Sequence, residues 1–248
     1  TQFVLDNWSA PSNIKVSQIV GWGLDTVRGT RYIARKVSTN CPVGLTGNCL
    51  KTIIDHAPIY TEDGDKTVVV PSAIKMQVDK YYLNLRDHNA EFRGFRVNRE
   101  HSDILEPNEI LALISNKLIY SSAALPKNIS TTQPSSSSTT LRLSLKSPVS
   151  INVYDSFNEH TGALDEQIPN SYYDEFGEGK YVGLDTEDTY TVNLQGLDYG
   201  TFTFVIDEIQ NDQVIGSLIY QDIPVSPTTE IIMTIQTLDS ASPLQIDV

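Results

Sequence analysis

Tyr60-Thr-Glu-Asp-Gly-Asp-Lys-Thr-Val-Val-Val-Pro-Ser72 sets an acidic turn directly before a β-branched run. Asp63, Gly64 and Asp65 have the chemistry of a turn: short carboxylates that bond nearby backbone, around a glycine that tolerates positive φ. Thr67 to Pro71 reads as a short strand. Arg99-Glu-His-Ser-Asp-Ile-Leu105 places His101 36 positions after Asp65. A helix signal follows at once. Pro107 sits at its start, Glu109 in its first turn, and Ile110, Leu111, Leu113, Ile114 and Leu118 recur at helical spacing. Upstream, Ile14-Lys-Val-Ser-Gln-Ile-Val20 is a β-type run ending in Gly21-Trp-Gly23, and Tyr81-Tyr-Leu-Asn-Leu85 is a further strand candidate. This half of the chain is therefore expected to mix α and β.

An acid on a post-strand loop, then a histidine on a later loop before a final helix, is the order in which an α/β-hydrolase triad presents those two groups. The stretch Glu62-Asp-Gly-Asp-Lys-Thr-Val68 resembles the acid loop of lipase-type α/β-hydrolases, in particular the lecithin:cholesterol acyltransferase-like branch. Ile19-Val-Gly-Trp-Gly-Leu-Asp-Thr26 is similar to the strand and Gly-x-Gly turn that precede that loop, and His101-Ser-Asp-Ile-Leu105 to the histidine ahead of the closing helix. The resemblance spans about residues 14–120, the last strands and helix of such a fold. It implies a carboxylic ester hydrolase with Asp65 as triad acid and His101 as general base, Asp63 being the alternative acid. His101 would take a proton from a serine hydroxyl and return it to the leaving alcohol. His56, His88 and His160 lack this setting and are expected to be ordinary surface residues.

The pattern departs from the family at one point. No Gly-x-Ser-x-Gly occurs in the 248 residues, and no strand–Ser–helix elbow precedes Asp65. The nucleophile and oxyanion segment are therefore expected upstream of Thr1, on a missing N-terminal hydrolase segment, covalent or cleaved. The chain alone is expected to be inactive. A parallel sheet without its first strands would leave an apolar edge uncovered.

Residues 126–140 hold almost nothing that anchors a core, and their Ser/Thr/Pro composition reads as a linker between a first unit, 1–125, and a second, 141–248. Charge divides at the same place. Residues 1–125 carry 14 Lys/Arg against 13 Asp/Glu, and 126–248 carry 4 against 18. In the second unit, Val149/Ile151/Val153, Tyr190/Val192/Leu194 and Phe202/Phe204/Ile206 alternate with polar residues, and Val214–Tyr220 and Ile231–Ile235 are further β-type runs. Short strands with turns between them predict a β-sandwich. Ser147-Pro-Val-Ser-Ile-Asn-Val-Tyr-Asp155 with His160-Thr-Gly162 resembles Ig-like modules appended to bacterial secreted proteins. The fold expected is thus α/β, a partial α/β-hydrolase, plus an all-β sandwich.

The acidity argues against nucleic acid as a partner, since phosphates would be repelled. No apolar run reaches the ~18 residues of a membrane span. Cys41 and Cys49, eight positions apart in a Gly/Pro/Asn-rich stretch, are placed to close a local disulfide, which points to a secreted or cell-surface location; two unpaired thiols are the alternative. The acidic turns of the second unit lack the Asp-x-Asp-x-Asp-Gly spacing of a calcium loop, so neither metal nor cofactor is expected. The expected partner is an ester or lipid substrate. The competing reading is a non-catalytic secreted or surface binding protein, with the β-module making the contacts.

Overall fold

Two parallel strands organise the first part of the chain. The computed structural model describes residues 8–40, 48–93, 98–119, 123–135, 138–146, 148–236 and 245–247, without the side chains of 35, 37–40, 48, 49 and 245–247. Strand β1 (Ser17–Trp22) runs parallel to β4 (Asp79–Asn84), with Ile19 opposite Tyr81 and Gly21 opposite Leu83. The short β5 (Ile129–Ser130) adds antiparallel to the far side of β4. Among the described residues the other edge of β1 has no neighbour.

Side chains of a strand alternate between faces, so this small sheet has two cores. On one face, Ile19, Tyr81 and Leu83 pack with Ile110 and Leu113 of the last helix, α3 (Asn108–Ile119). On the other, Val20 and Tyr82 pack with Val70 of a single helical turn, α1 (Val70–Ala73). Helix α2 (Leu85–Glu91) follows β4 directly; Asn84 caps it by accepting the Asp87 amide at 3.1 Å.

Three features differ from expectation. Residues 67–71 form no strand: the Asp65 carboxylate takes the amides of Thr67 and Val68 and turns the chain, and Pro71 then opens α1. A long two-stranded ribbon, β2 (Thr26–Asn40) and β3 (Asn48–Thr61), joins β1 to the acid loop. Among its described side chains Val27, Tyr32, Ile33, Leu50 and Ile54 are exposed, while Thr26, Tyr60 and Thr61 at its base are buried, so it carries no clean hydrophobic period. The Ser/Thr-rich stretch is anchored as well: Ile129 is buried beside Leu83, and Thr139 and Thr140 already belong to β6 (Thr139–Lys146).

The second part is all-β, as its alternation predicts. One sheet has the order β13-β12-β6-β10-β9 and the other β15-β14-β11-β7-β8. The remaining strands are β7 (Val149–Tyr154), β8 (His160–Gly162), β9 (Tyr172–Phe176), β10 (Gly179–Asp185), β11 (Thr189–Gly196), β12 (Gly200–Gln210), β13 (Gln213–Val225), β14 (Glu230–Gln236) and β15 (Gln245–Asp247). Leu141, Leu143 and Leu145 with Phe204 and Ile206 come from one inner face; Ile151, Val153, Val192 and Leu194 come from the other. They form one contiguous core, the arrangement of two packed sheets. Cys41 lies outside the described residues, and the Cys49 side chain with it, so the disulfide expectation falls outside the structure.

Candidate active site

The acid loop is built from its backbone outward. Gly64 lies against Thr26, where a Cβ would come within 2.3 Å of the Thr26 hydroxyl, so no larger residue fits there. That hydroxyl donates to the Leu24 carbonyl at 2.9 Å and accepts the Lys66 amide at 2.9 Å. Lys66 takes the left-handed conformation at φ 72°, which is unusual for a residue with a Cβ. Together these hold Asp65 next to Leu24, just past the C-terminal end of β1. Ligand sites of open α/β sheets lie at that end of their strands. Gly21 makes the room: a Cβ there would stand 2.8 Å from the Asp65 Cβ and 2.9 Å from both Ile104 and Leu85.

Asp65 is buried, at 4% exposure, yet its carboxylate is well supplied with donors. One oxygen accepts from the amides of Thr67 at 3.3 Å and Val68 at 2.7 Å. The other lies 2.9 Å from Nδ1 of His101. The His101 amide also donates to the Asp65 carbonyl at 3.0 Å. Side chain and backbone therefore both dock the histidine on the acid. The His101 side chain is 45% exposed, and among the described residues no hydrogen bond reaches its Nε2. An ionised carboxylate on Nδ1 favours the Nδ1–H tautomer and leaves Nε2 with a lone pair facing outward. That arrangement can accept a proton at Nε2.

The alternative acid is turned elsewhere. Asp63 lines a cavity with Asp212, Thr61 and Ser135, and its buried Oδ1 has no hydrogen bond among the described residues. Burial and then the nearby Asp212 push its carboxyl above the usual range.

The histidine segment has its own supports. Asn89 of α2 accepts the Arg99 amide at 2.8 Å and donates to the Arg99 carbonyl at 3.1 Å. Asn98 donates to the carbonyls of Glu166 and Ile168, each at 3.0 Å. The Glu100 amide bonds the Asp103 carboxylate at 2.8 Å and opens a 3-10 turn over His101–Asp103. Comparison with known proteins finds no matching family model, no matching curated protein and no matching solved structure. The chemistry of the pair thus rests on its geometry.

A charged layer lies beside the site, between the small sheet and the sandwich. Arg86 bonds the Gly23 carbonyl at 3.1 Å and pairs with Glu62 at 2.8 Å and with Asp185. Burial works against its charge, but Asp185, Glu62 and Asp25 together outweigh it and raise its pKa. Asp25 is buried, which pushes its carboxyl up to about 6 against the pull of Arg142. Arg142 stacks over the Tyr60 ring at 4.5 Å and donates to the Tyr172 hydroxyl at 2.9 Å.

The other histidines divide. His56 is exposed, edge-on to Phe176 at 5.3 Å. His160 of β8 bonds Asp165 and, on the neighbouring strand β7, Asn152 at 2.9 Å. His88 corrects the expectation of a surface role: it is 3% exposed and its Nδ1 lies 3.0 Å from Glu109, tying α2 to α3. Among the described residues no cluster of three or more His, Cys, Asp or Glu is arranged to hold a metal. No described helix is long and apolar enough to cross a membrane. Sequence reasoning did not find Thr26, Asn89 or Asn98, because a polar residue that supports a loop from another element carries no local signature. Gly21 was visible as part of a turn, but its role of admitting Asp65 was not.

Proposed function

We propose that Asp65 and His101 are the acid and base of a Ser-His-Asp relay in a carboxylic ester hydrolase of the lipase-like α/β class. The observation that carries this reading is the 2.9 Å approach of a buried, amide-supported carboxylate to Nδ1 of a histidine whose Nε2 is open. In this relay Nε2 takes the proton of a serine hydroxyl as it attacks the ester carbonyl. The tetrahedral intermediate collapses, and the imidazolium returns the proton to the departing alcohol. Water then repeats the cycle on the acyl-enzyme. Asp65 holds the tautomer and stabilises the imidazolium.

The serine is assigned to a segment preceding Thr1, covalent or cleaved, and two features support a place for it. The edge of β1 away from β4 is unpaired among the described residues, and a parallel strand could add there. On α3, Leu111, Leu118 and Ile119 are exposed by 52%, 81% and 66%, apolar surface of the kind a neighbouring layer covers. A secreted or cell-surface location goes with this reading, and the substrate is an ester or lipid.

The test is fluorophosphonate labelling and p-nitrophenyl ester hydrolysis on the native protein and on this chain alone. Labelling of one serine upstream of Thr1 is expected, with no turnover by the chain alone. In the native protein Asp65→Asn should lower kcat on the order of 10⁴-fold, and His101→Ala similarly. Native material that takes up no probe and cleaves no ester would leave the binding-protein reading in its place.

A further inference from the structure

We propose that Glu166, a residue of the β-sandwich, is a positioning residue for the Asp65–His101 pair, so that the sandwich is part of the site's framework and not an appended module. The inference rests on the hydrolase reading above for its functional meaning. Its structural content stands on four contacts that meet at one place.

Lys66 directly follows the acid, and its ammonium pairs with Glu166 Oε2 at 2.5 Å. The second carboxylate oxygen of Glu166 accepts the Tyr173 amide of β9 at 2.7 Å, which ties the group to the sandwich backbone. Asn98, three residues before His101, donates to the Glu166 carbonyl at 3.0 Å and to the Ile168 carbonyl at 3.0 Å. Ile168 is itself 1% exposed in the sandwich core, so this anchor does not move with the surface. The acid loop and the histidine segment are far apart in sequence, yet both end on the same three-residue stretch of the second unit.

The physics favours a positioning role over an incidental contact. The Lys66 side chain is only 14% exposed, so its ion pair is less screened by solvent than one on the open surface. Lys66 also holds a left-handed backbone conformation that a residue with a Cβ adopts only when its surroundings require it. The amide of Asn98 satisfies two carbonyls at once, which fixes the height of the chain that delivers His101. A relay of this kind loses rate when its members are displaced by even an ångström, because the hydrogen-bond geometry sets the tautomer. The Glu166 side chain therefore acts through Lys66 on Asp65, and its main-chain carbonyl through Asn98 on the His101 segment, without touching substrate.

The experiment reads the tautomer of His101 by nitrogen-15 NMR of the full chain at about pH 9. In the unmodified protein the Nδ1–H form is expected to dominate, and Asp65→Asn should remove that preference. Glu166→Ala, Asn98→Ala and Lys66→Met should each lower the ratio of Nδ1–H to Nε2–H roughly fivefold, the worth of one lost hydrogen bond. Lys66→Arg keeps the ion pair and should restore the ratio. If Asp65→Asn shifts the ratio while the other three leave it unchanged, the positioning claim is overturned and the dyad stands. If Asp65→Asn also changes nothing, the hydrolase reading fails with it. Should Glu166→Ala not fold, the contrast between Lys66→Met and Lys66→Arg decides the question.

Discussion

The sandwich and the small parallel sheet bury their apolar residues to very different degrees. In the sandwich, both sheets turn an inner row into one core, and Leu143, Val153, Val182, Val192 and Phe204 are completely shielded. The parallel pair has two thinner cores, one on each face. Its helix α3 buries only Ile110 and Leu113, while Leu111 and Leu118 of the same helix stay exposed. An antiparallel sandwich closes on itself, because each sheet supplies the other's cover. A parallel sheet needs layers on both faces and neighbours at its edges. The Asp65–His101 pair sits on the less complete of the two regions, and its neighbours Lys66 and Asn98 bond to the more complete one.

The contrast can be broken most forcefully in the sandwich. Leu143→Ala removes a fully buried side chain from the middle of β6 and should lower stability by about 2–5 kcal/mol in urea unfolding. A loss below 1 kcal/mol would mean that the two sheets do not share a tight core.

The next effect tests the charged layer between the regions. Burial raises the Asp25 carboxyl from 3.8 to about 6, so the folded protein holds this proton more tightly than the unfolded chain does. The penalty for ionising it is absent below about pH 4, grows as pH rises to about 6, and is complete above that. Asp25→Asn should remove up to about 3 kcal/mol of the stability lost between pH 4 and pH 7. Urea midpoints at the two pH values measure it, and equal pH slopes for variant and parent would refute the burial.

The smallest effect is the most discriminating. Leu118 is 81% exposed, so Leu118→Ser should change the stability of this chain by no more than about 0.5 kcal/mol. In a longer native protein that covers α3, the same change should cost about 2 kcal/mol or more. Equal values in the two would show that nothing covers this face.

Much of the architecture was legible because strand and helix periods are local. The alternation at 149–153, 190–194 and 202–206 marks β7, β11 and β12, and Ile110/Leu113 marks the buried side of α3. Strand β6 was not among the expected strands: Leu141, Leu143 and Leu145 alternate, but its start lies in a Ser/Thr run that read as linker. The expected strand at 67–71 failed because one carboxylate captured two amides and a proline followed, and this bending outweighs β propensity over so short a run.

By itself, the sequence determined that an acidic turn precedes a histidine and a closing helix, and that an alternating all-β unit follows. Only the tertiary structure decided which carboxylate meets His101. Asp63 and Asp65 stand two residues apart with the same chemistry, yet one faces Asp212 and the other the imidazole. Only it showed that Gly21 leaves the space for the acid and that Glu166 receives both loops. The reason is that hydrophobic period and turn propensity act over a few neighbouring residues. A hydrogen bond between segments tens of residues apart exists only once packing has brought them within about 3 Å.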